Sequence, residues 1–168
     1  MKKFLLSIIS VLLFCTNLYA LPKCPGEKRV MSTWVNCNGS YTAVDGHYYS
    51  GDFDSEGKYT GYGTLKNKGG VYKGEFLNDR YHGQGWQSLD SASGIAYYEG
   101  EFFMGNWHGQ GKLWSKDGVF KYEGEFQNMQ MTGYGTLTYE GISVTGNWKN
   151  GECNDNKTCE AVKAAKSN

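Results

Sequence analysis

Five copies of one short pattern govern what this chain can fold into. Tyr49-x-Gly51-Asp52-Phe53, Tyr72-x-Gly74-Glu75-Phe76, Tyr98-x-Gly100-Glu101-Phe102, Tyr122-x-Gly124-Glu125-Phe126 and a degenerate Val144-x-Gly146-Asn147-Trp148 follow one another at intervals of 23, 26, 24 and 22 residues. A second element recurs between them in constant phase: Thr60-Gly61-Tyr62-Gly63, His82-Gly83-Gln84-Gly85, His108-Gly109-Gln110-Gly111 and Thr132-Gly133-Tyr134-Gly135. Cys37-x-Gly39-x-Tyr41 is an incomplete leading copy, with Cys37 where the later pairs have their first glycine. Self-similarity at such a period marks an array of small units, each too small to bury its apolar face alone and stable only against its neighbours.

The units are strands. In every Tyr-x-Gly-x-Phe copy the named residues alternate with Lys, Glu, Asp, Ser or Asn, the period of a strand with one buried face. The G-x-G copies alternate likewise and run on into Leu65, Leu113 and Leu137. Turn formers separate them: Asn78-Asp79, Gly105-Asn106 and Asn150-Gly151 on one side, and Asp45-Gly46, Gly69-Gly70, Asp117-Gly118 and Glu140-Gly141 on the other. Consecutive hairpins of this kind make an all-β antiparallel meander. The chain has 24 glycines in 168 residues and 15 % aromatics, and glycine inside a strand costs entropy while adding no side chain. Space is the physical reason for it: on a single-layer sheet, large rings lie across the bare backbone of glycines on the neighbouring strand. Each buried Phe or Leu then contributes about 1.5–3 kcal/mol against about 1–2 kcal/mol of backbone ordering per residue, a contest one hairpin loses and a stack of them wins.

At these residues the chain resembles the MORN (membrane occupation and recognition nexus) repeat, whose mark is Tyr-x-Gly-x-[Phe/Trp] followed by His-Gly-x-Gly. The resemblance covers Gly39 to about Gly151 and implies a single-layer twisted antiparallel meander of tandem hairpins. It also implies attachment to membranes or phospholipids, dimerisation or protein scaffolding, with repeats that are not themselves catalytic. The chain departs from the pattern at Cys37, at Val144 in a tyrosine slot, and in lengthened loops after Trp86 and Trp114.

The two ends read differently. Lys2 and Lys3, the apolar run Phe4 to Phe14, and a small residue at Ala20 form a secretory signal cleaved after Ala20, and the 11-residue run is too short to span a bilayer. The organisation is therefore a signal peptide over 1–20, an N-terminal cap over 21–38, the repeat array over 39–152 and a C-terminal tail over 153–168. Without the signal, 15 basic residues face 17 acidic ones, a formal charge of −2 that fits neither nucleic acid nor another polyanion. Four cysteines remain, an even number that favours disulfides in an exported product over metal ligation. Of three pairings, Cys24 with Cys37 and Cys153 with Cys159 keeps both bridges local, one stapling each end. The stretch Asn156 to Lys166 is alanine-rich and predicts a short C-terminal helix.

The titratable residues of the repeats carry no catalytic arrangement. His82 and His108 occupy a slot that Thr60 and Thr132 fill elsewhere, which makes the slot structural. Asp52, Glu75, Glu101 and Glu125 recur once per repeat, spaced as a solvated stripe on the polar face rather than as the paired carboxylates of a cleft. No nucleophile elbow or phosphate loop appears, and no cofactor or metal is expected. The reading is an extracytoplasmic, secreted or periplasmic scaffold for a protein partner or a second copy of the chain, held on the concave aromatic face or the sheet edges. The alternative is an envelope glycan or phospholipid binder, with Trp86, Trp107 and Trp114, outside the Tyr-x-Gly-x-Phe slots, as the rings that would meet a ligand.

Overall fold

The computed structural model describes residues 20–26, 33–90 and 94–154. These form eleven strands: β1 (Cys37–Thr42), β2 (Tyr48–Phe53), β3 (Tyr59–Asn67), β4 (Gly70–Leu77), β5 (Arg80–Leu89), β6 (Ile95–Phe103), β7 (Asn106–Ser115), β8 (Phe120–Gln127), β9 (Gln130–Tyr139), β10 (Ile142–Lys149) and β11 (Glu152–Cys153). Their order in the single open sheet is their order in the chain, and every neighbouring pair is antiparallel. Among the described residues there is no helix. The signal sequence (apart from Ala20), Cys159 and the expected C-terminal helix lie outside the described residues.

Register explains the glycines. Gly63, Gly74, Gly85, Gly100, Gly111, Gly124, Gly135 and Gly146 face one another strand after strand, and Gly39 with Gly51 continues the row at the N-terminal end. The repeat tyrosines lie over this bare stripe. A Cβ built on Gly85 would sit 2.5 Å from Tyr72 Oη, and one on Gly111 would sit 2.7 Å from Tyr98 Cε2, distances that real Cβ atoms do not tolerate. The tyrosine hydroxyl, carried across the stripe, donates to the carbonyl three residues on: Tyr49 to Asp52 at 2.9 Å, Tyr72 to Glu75 at 2.8 Å, Tyr98 to Glu101 at 2.9 Å. Each ring is thus buried along its apolar body and satisfied at its polar tip, as a buried tyrosine requires.

On the same face the rings form one interlocked column. Each repeat tyrosine meets the phenylalanine of its own strand and the next copy's aromatic edge-on: Tyr72 lies 5.0 Å from both Phe76 and Phe102, Tyr98 lies 5.1 Å from both Phe102 and Phe126, and Tyr122 contacts Phe126 and Trp148. These edge-to-face pairs are the preferred geometry for aromatic quadrupoles. Tyr49 and Tyr98 are 0 % exposed although only one sheet layer exists. The ring-bearing face, expected from sequence to receive a partner, is therefore the protein's own core, closed by its own side chains.

The ends are sealed by tryptophans. Trp34 packs on Phe53 and donates its indole N–H to the Pro25 carbonyl at 2.7 Å. The Cys24–Cys37 disulfide holds Pro22 to Cys24 beside β1, where the Cys24 N–H donates to the Asn38 carbonyl and the Asn38 N–H to that of Pro22. At the other end Trp148, in the fifth copy, is buried and donates to the Gly135 carbonyl at 3.0 Å. Cys153 is disulfide-bonded as well, its partner lying outside the described residues. Cys24–Cys37 is one of the two local bridges expected from sequence, and Cys159 lies outside the described residues.

Candidate functional site

The two glycines of each G-x-G pair do different work, which sequence alternation does not reveal. The second belongs to the stripe beneath the tyrosine. The first, Gly61, Gly83, Gly109 or Gly133, has φ between +52° and +57°, a left-handed conformation that glycine adopts without steric cost. The ladder breaks register here: Gly74 pairs with Gly85 but Glu75 with His82, leaving Gly83 and Gln84 without partners in β4. The same shift recurs at Gly100/Glu101 and at Gly124/Glu125. Into each bulge the repeat's glutamate reaches across. Glu75 accepts the Gln84 N–H at 2.9 Å, Glu101 the Gln110 N–H at 2.8 Å and Glu125 the Tyr134 N–H at 3.1 Å. These carboxylates were expected to form a solvated stripe. They do lie on the polar face, and they also lock successive bulges, since a backbone N–H without a ladder partner needs an acceptor.

His82 and His108 begin the same bulges and flank Phe103 on the polar face, each ring centroid 5.6 Å from that of Phe103. Among the described residues no group of three or more His, Cys, Asp and Glu side chains is placed to hold a metal ion.

A further repeat slot escaped the sequence reading. Tyr59, Tyr81 and Trp107 each lie flat on a repeat tyrosine, with interplanar angles of 9° and centroid separations of 3.7, 3.7 and 4.7 Å, and Met131 holds the equivalent place beside Phe126. Trp107, a candidate ligand ring on sequence, is 7 % exposed here and donates its indole N–H to Gln87 Oε1 at 3.0 Å. It belongs to the core and cannot meet a ligand. Gln87 stands in the row otherwise held by Leu65, Leu113 and Leu137, and it gives the larger indole an acceptor.

The other two candidates are on the opposite face. Trp86 and Trp114 sandwich Tyr97, with centroid separations of 5.8 and 5.5 Å. The three residues come from β5, β6 and β7, and the stack forms because Trp86, Tyr97 and Trp114 alternate with core-facing Gly85, Tyr98 and Leu113. Lys73 Nζ lies over the far side of Trp86, 5.9 Å from its centroid. Beyond Trp114, Glu123 bridges Lys112 at 2.9 Å and Lys121 at 2.8 Å. Those hydrogen bonds, that to Lys121 first, hold the Glu123 carboxyl below its usual pKa range, and Glu123 raises Lys112 in turn. Two open grooves flank the stack. One, of about 200 Å³, is lined by Tyr62, Lys73, Gln84, Gly85, Trp86 and Glu99. The other, of about 350 Å³, is lined by Glu99, Lys112, Trp114, Gly118, Phe120 and Lys121. Tyr97 and Tyr62, which the sequence reading did not single out, belong to this surface. Their signal was legible only as aromatics at polar-face positions of an aromatic-rich chain.

No curated protein matches the chain. Among the described residues, no helix is long and apolar enough to cross a membrane. The MORN repeat family model matches residues 72–90, 98–120 and 122–141, and these matches contain the stripe glycines, ring column and locked bulges of β4–β5, β6–β7 and β8–β9. The stretch from residue 72 to residue 141 is therefore three consecutive MORN repeats.

Proposed function

We propose that this protein is a non-catalytic, extracytoplasmic interaction scaffold, which holds a protein partner or a second copy of itself on the outer surface of its repeat sheet. MORN repeats are generally interaction modules, consistent with a repeat scaffold for protein or membrane contacts. One observation carries the reading: the recurring carboxylates, which are natural candidates for chemistry, are engaged in holding the bulged backbone. Glu75, Glu101 and Glu125 lock bulges, and His82 and His108 start them. What stays open is a long array of aligned side-chain rows, the kind of extended surface that repeat proteins offer to partners. Export is supported by the charged and apolar segments before Ala20 and by the Cys24–Cys37 bridge, a bond that persists in oxidising compartments.

Two measurements test it. The N-terminus of the product exported from cells expressing the full chain should begin at Leu21, and size-exclusion with crosslinking should find a dimer or a co-purifying protein from the envelope fraction. A strictly monomeric, partnerless product retained in the cytoplasm would refute the scaffold. The second reading, an envelope glycan or phospholipid binder, is favoured in its glycan form by Trp86 and Trp114 lining adjoining grooves on the polar face.

A further inference from the structure

We propose that the polar face carries a binding site for a carboxylate-bearing oligosaccharide, seated across the Trp86–Tyr97–Trp114 stack. The inference rests on the second reading above and is independent of the scaffold reading.

The inner faces of both indoles are taken by Tyr97. Their other faces turn away from it, because β5, β6 and β7 are successive strands; Lys73 Nζ lies over that of Trp86, and each indole lines one groove. Exposed Glu99 lines both grooves. Their combined size is that of a small-ligand site, in which aromatic walls supply contact and a few polar groups fix orientation.

The surroundings select the ligand. An aromatic face bordered by ammonium and carboxylate groups suits a molecule with an apolar C–H face and a rim of hydroxyls, which is a pyranose. A protein anchor would need the rings enclosed and ringed by neutral contacts that exclude water, whereas these are half-buried in open grooves with charges of both signs at the lip. A lipid surface would need apolar side chains around the stack, and Gln84, Ser88 and Glu99 are there instead. Charge narrows the class further. Lys73 lines the first groove and makes no ion pair among the described residues, while Lys112 and Lys121 line the second and share the single Glu123. Three ammonium donors against Glu99 and Glu123 leave one positive charge in excess at this site, although the chain without its signal carries a formal charge of −2 overall. A sugar carrying its own carboxylate complements that excess.

The test titrates the purified protein with tetragalacturonate, and in separate arms with neutral cellotetraose and with phosphatidylglycerol vesicles, followed by tryptophan fluorescence and calorimetry. Saturable binding of tetragalacturonate, weakening as salt rises, is expected. Trp86→Ala and Trp114→Ala should each weaken it about tenfold or more. Lys73→Gln, an exposed change that removes the ammonium over Trp86 and keeps the Trp86–Tyr97–Trp114 rings themselves, should weaken it severalfold and flatten the salt dependence. Tyr134→Ala, on the same face beyond the grooves, should leave it unchanged. Failure to bind tetragalacturonate, equal binding of cellotetraose, binding of vesicles alone, or affinity indifferent to Trp86→Ala, Trp114→Ala and Lys73→Gln would each overturn the proposal. None of these outcomes bears on oligomeric state or co-purifying protein, so the scaffold reading stands or falls separately.

Discussion

Gly111 and Tyr98 form the smallest unit of this architecture, a missing side chain and the ring that fills its place. Gly111→Val would drive a Cβ into Tyr98 Cε2 and the adjoining ring atoms. Overpacking of this kind costs about 1–3 kcal/mol, and a thermal melt should show a Tm lower by several degrees. An unchanged Tm would contradict the packing. The same tyrosines should resist ionisation. Burial, more than any other cause, pushes the Tyr72 and Tyr98 phenols well above the ordinary tyrosine range, and raises Tyr122 to about 12. A folded-state pKa raised above the unfolded value near 10 means that the stabilisation is complete below pH 10 and is lost as pH climbs through the folded value. Absorbance titration at alkaline pH should therefore show these tyrosines ionising late and together with unfolding. The tyrosine and phenylalanine slots were plain in the sequence because one residue type fills each in the first four copies. The slot of Tyr59, Tyr81, Trp107 and Met131 was not, because its members share only bulk, and the requirement for bulk comes from the tyrosine face lying opposite.

At the level of the hairpin, the bulge is the feature that alternation hides. In Gly109-Gln110-Gly111 the two glycines look equivalent at period two, yet a register shift puts one in a left-handed turn under Glu101 and the other beneath Tyr98. A bulge changes which residues oppose each other without changing the residue count between them, so only pairing exposes it. Glu101→Ala should free the Gln110 N–H and destabilise the protein by about 1 kcal/mol, the ordinary worth of one such hydrogen bond. Amide exchange at Gln110 should quicken while the Gly124 amide is unaffected. Turns obeyed their sequence signals in part. Asn78-Asp79 and Asn150-Gly151 take positive φ as their residue types favour, but so does Asn128-Met129, where the demands of the two strands override methionine's own preference. The N-terminal cap is a second element-scale device. Its bridge closes a sequence separation of 13 residues, worth about 3 kcal/mol in the chain-entropy account. Cys24→Ser with Cys37→Ser should lower stability by up to that amount, with exchange protection lost first in β1 and β2.

Across the whole molecule, contacts run within each repeat and from each repeat to the next, so stability should add up repeat by repeat. Deleting residues 98–121 joins Tyr97 to Tyr122, which puts Tyr122 in the slot of Tyr98 and keeps the phase of every later residue. The shortened protein should fold to the same sheet with a lower Tm and a smaller denaturant m-value, because less surface is exposed on unfolding. Loss of folding would show that the array is not modular. Sequence by itself determined the repeat, its strands, the meander order and the identity of the rings that meet the glycine stripe, because each is set by local alternation and by which residues can turn. It also marked Cys24 and Cys37 as a local pair. Only the tertiary structure decided which of Trp86, Trp107 and Trp114 face solvent, what the glutamates hold, and that the ring face is filled rather than open. Those outcomes depend on cross-strand register and on rings brought together from different hairpins, and neither is encoded in the spacing of any one copy.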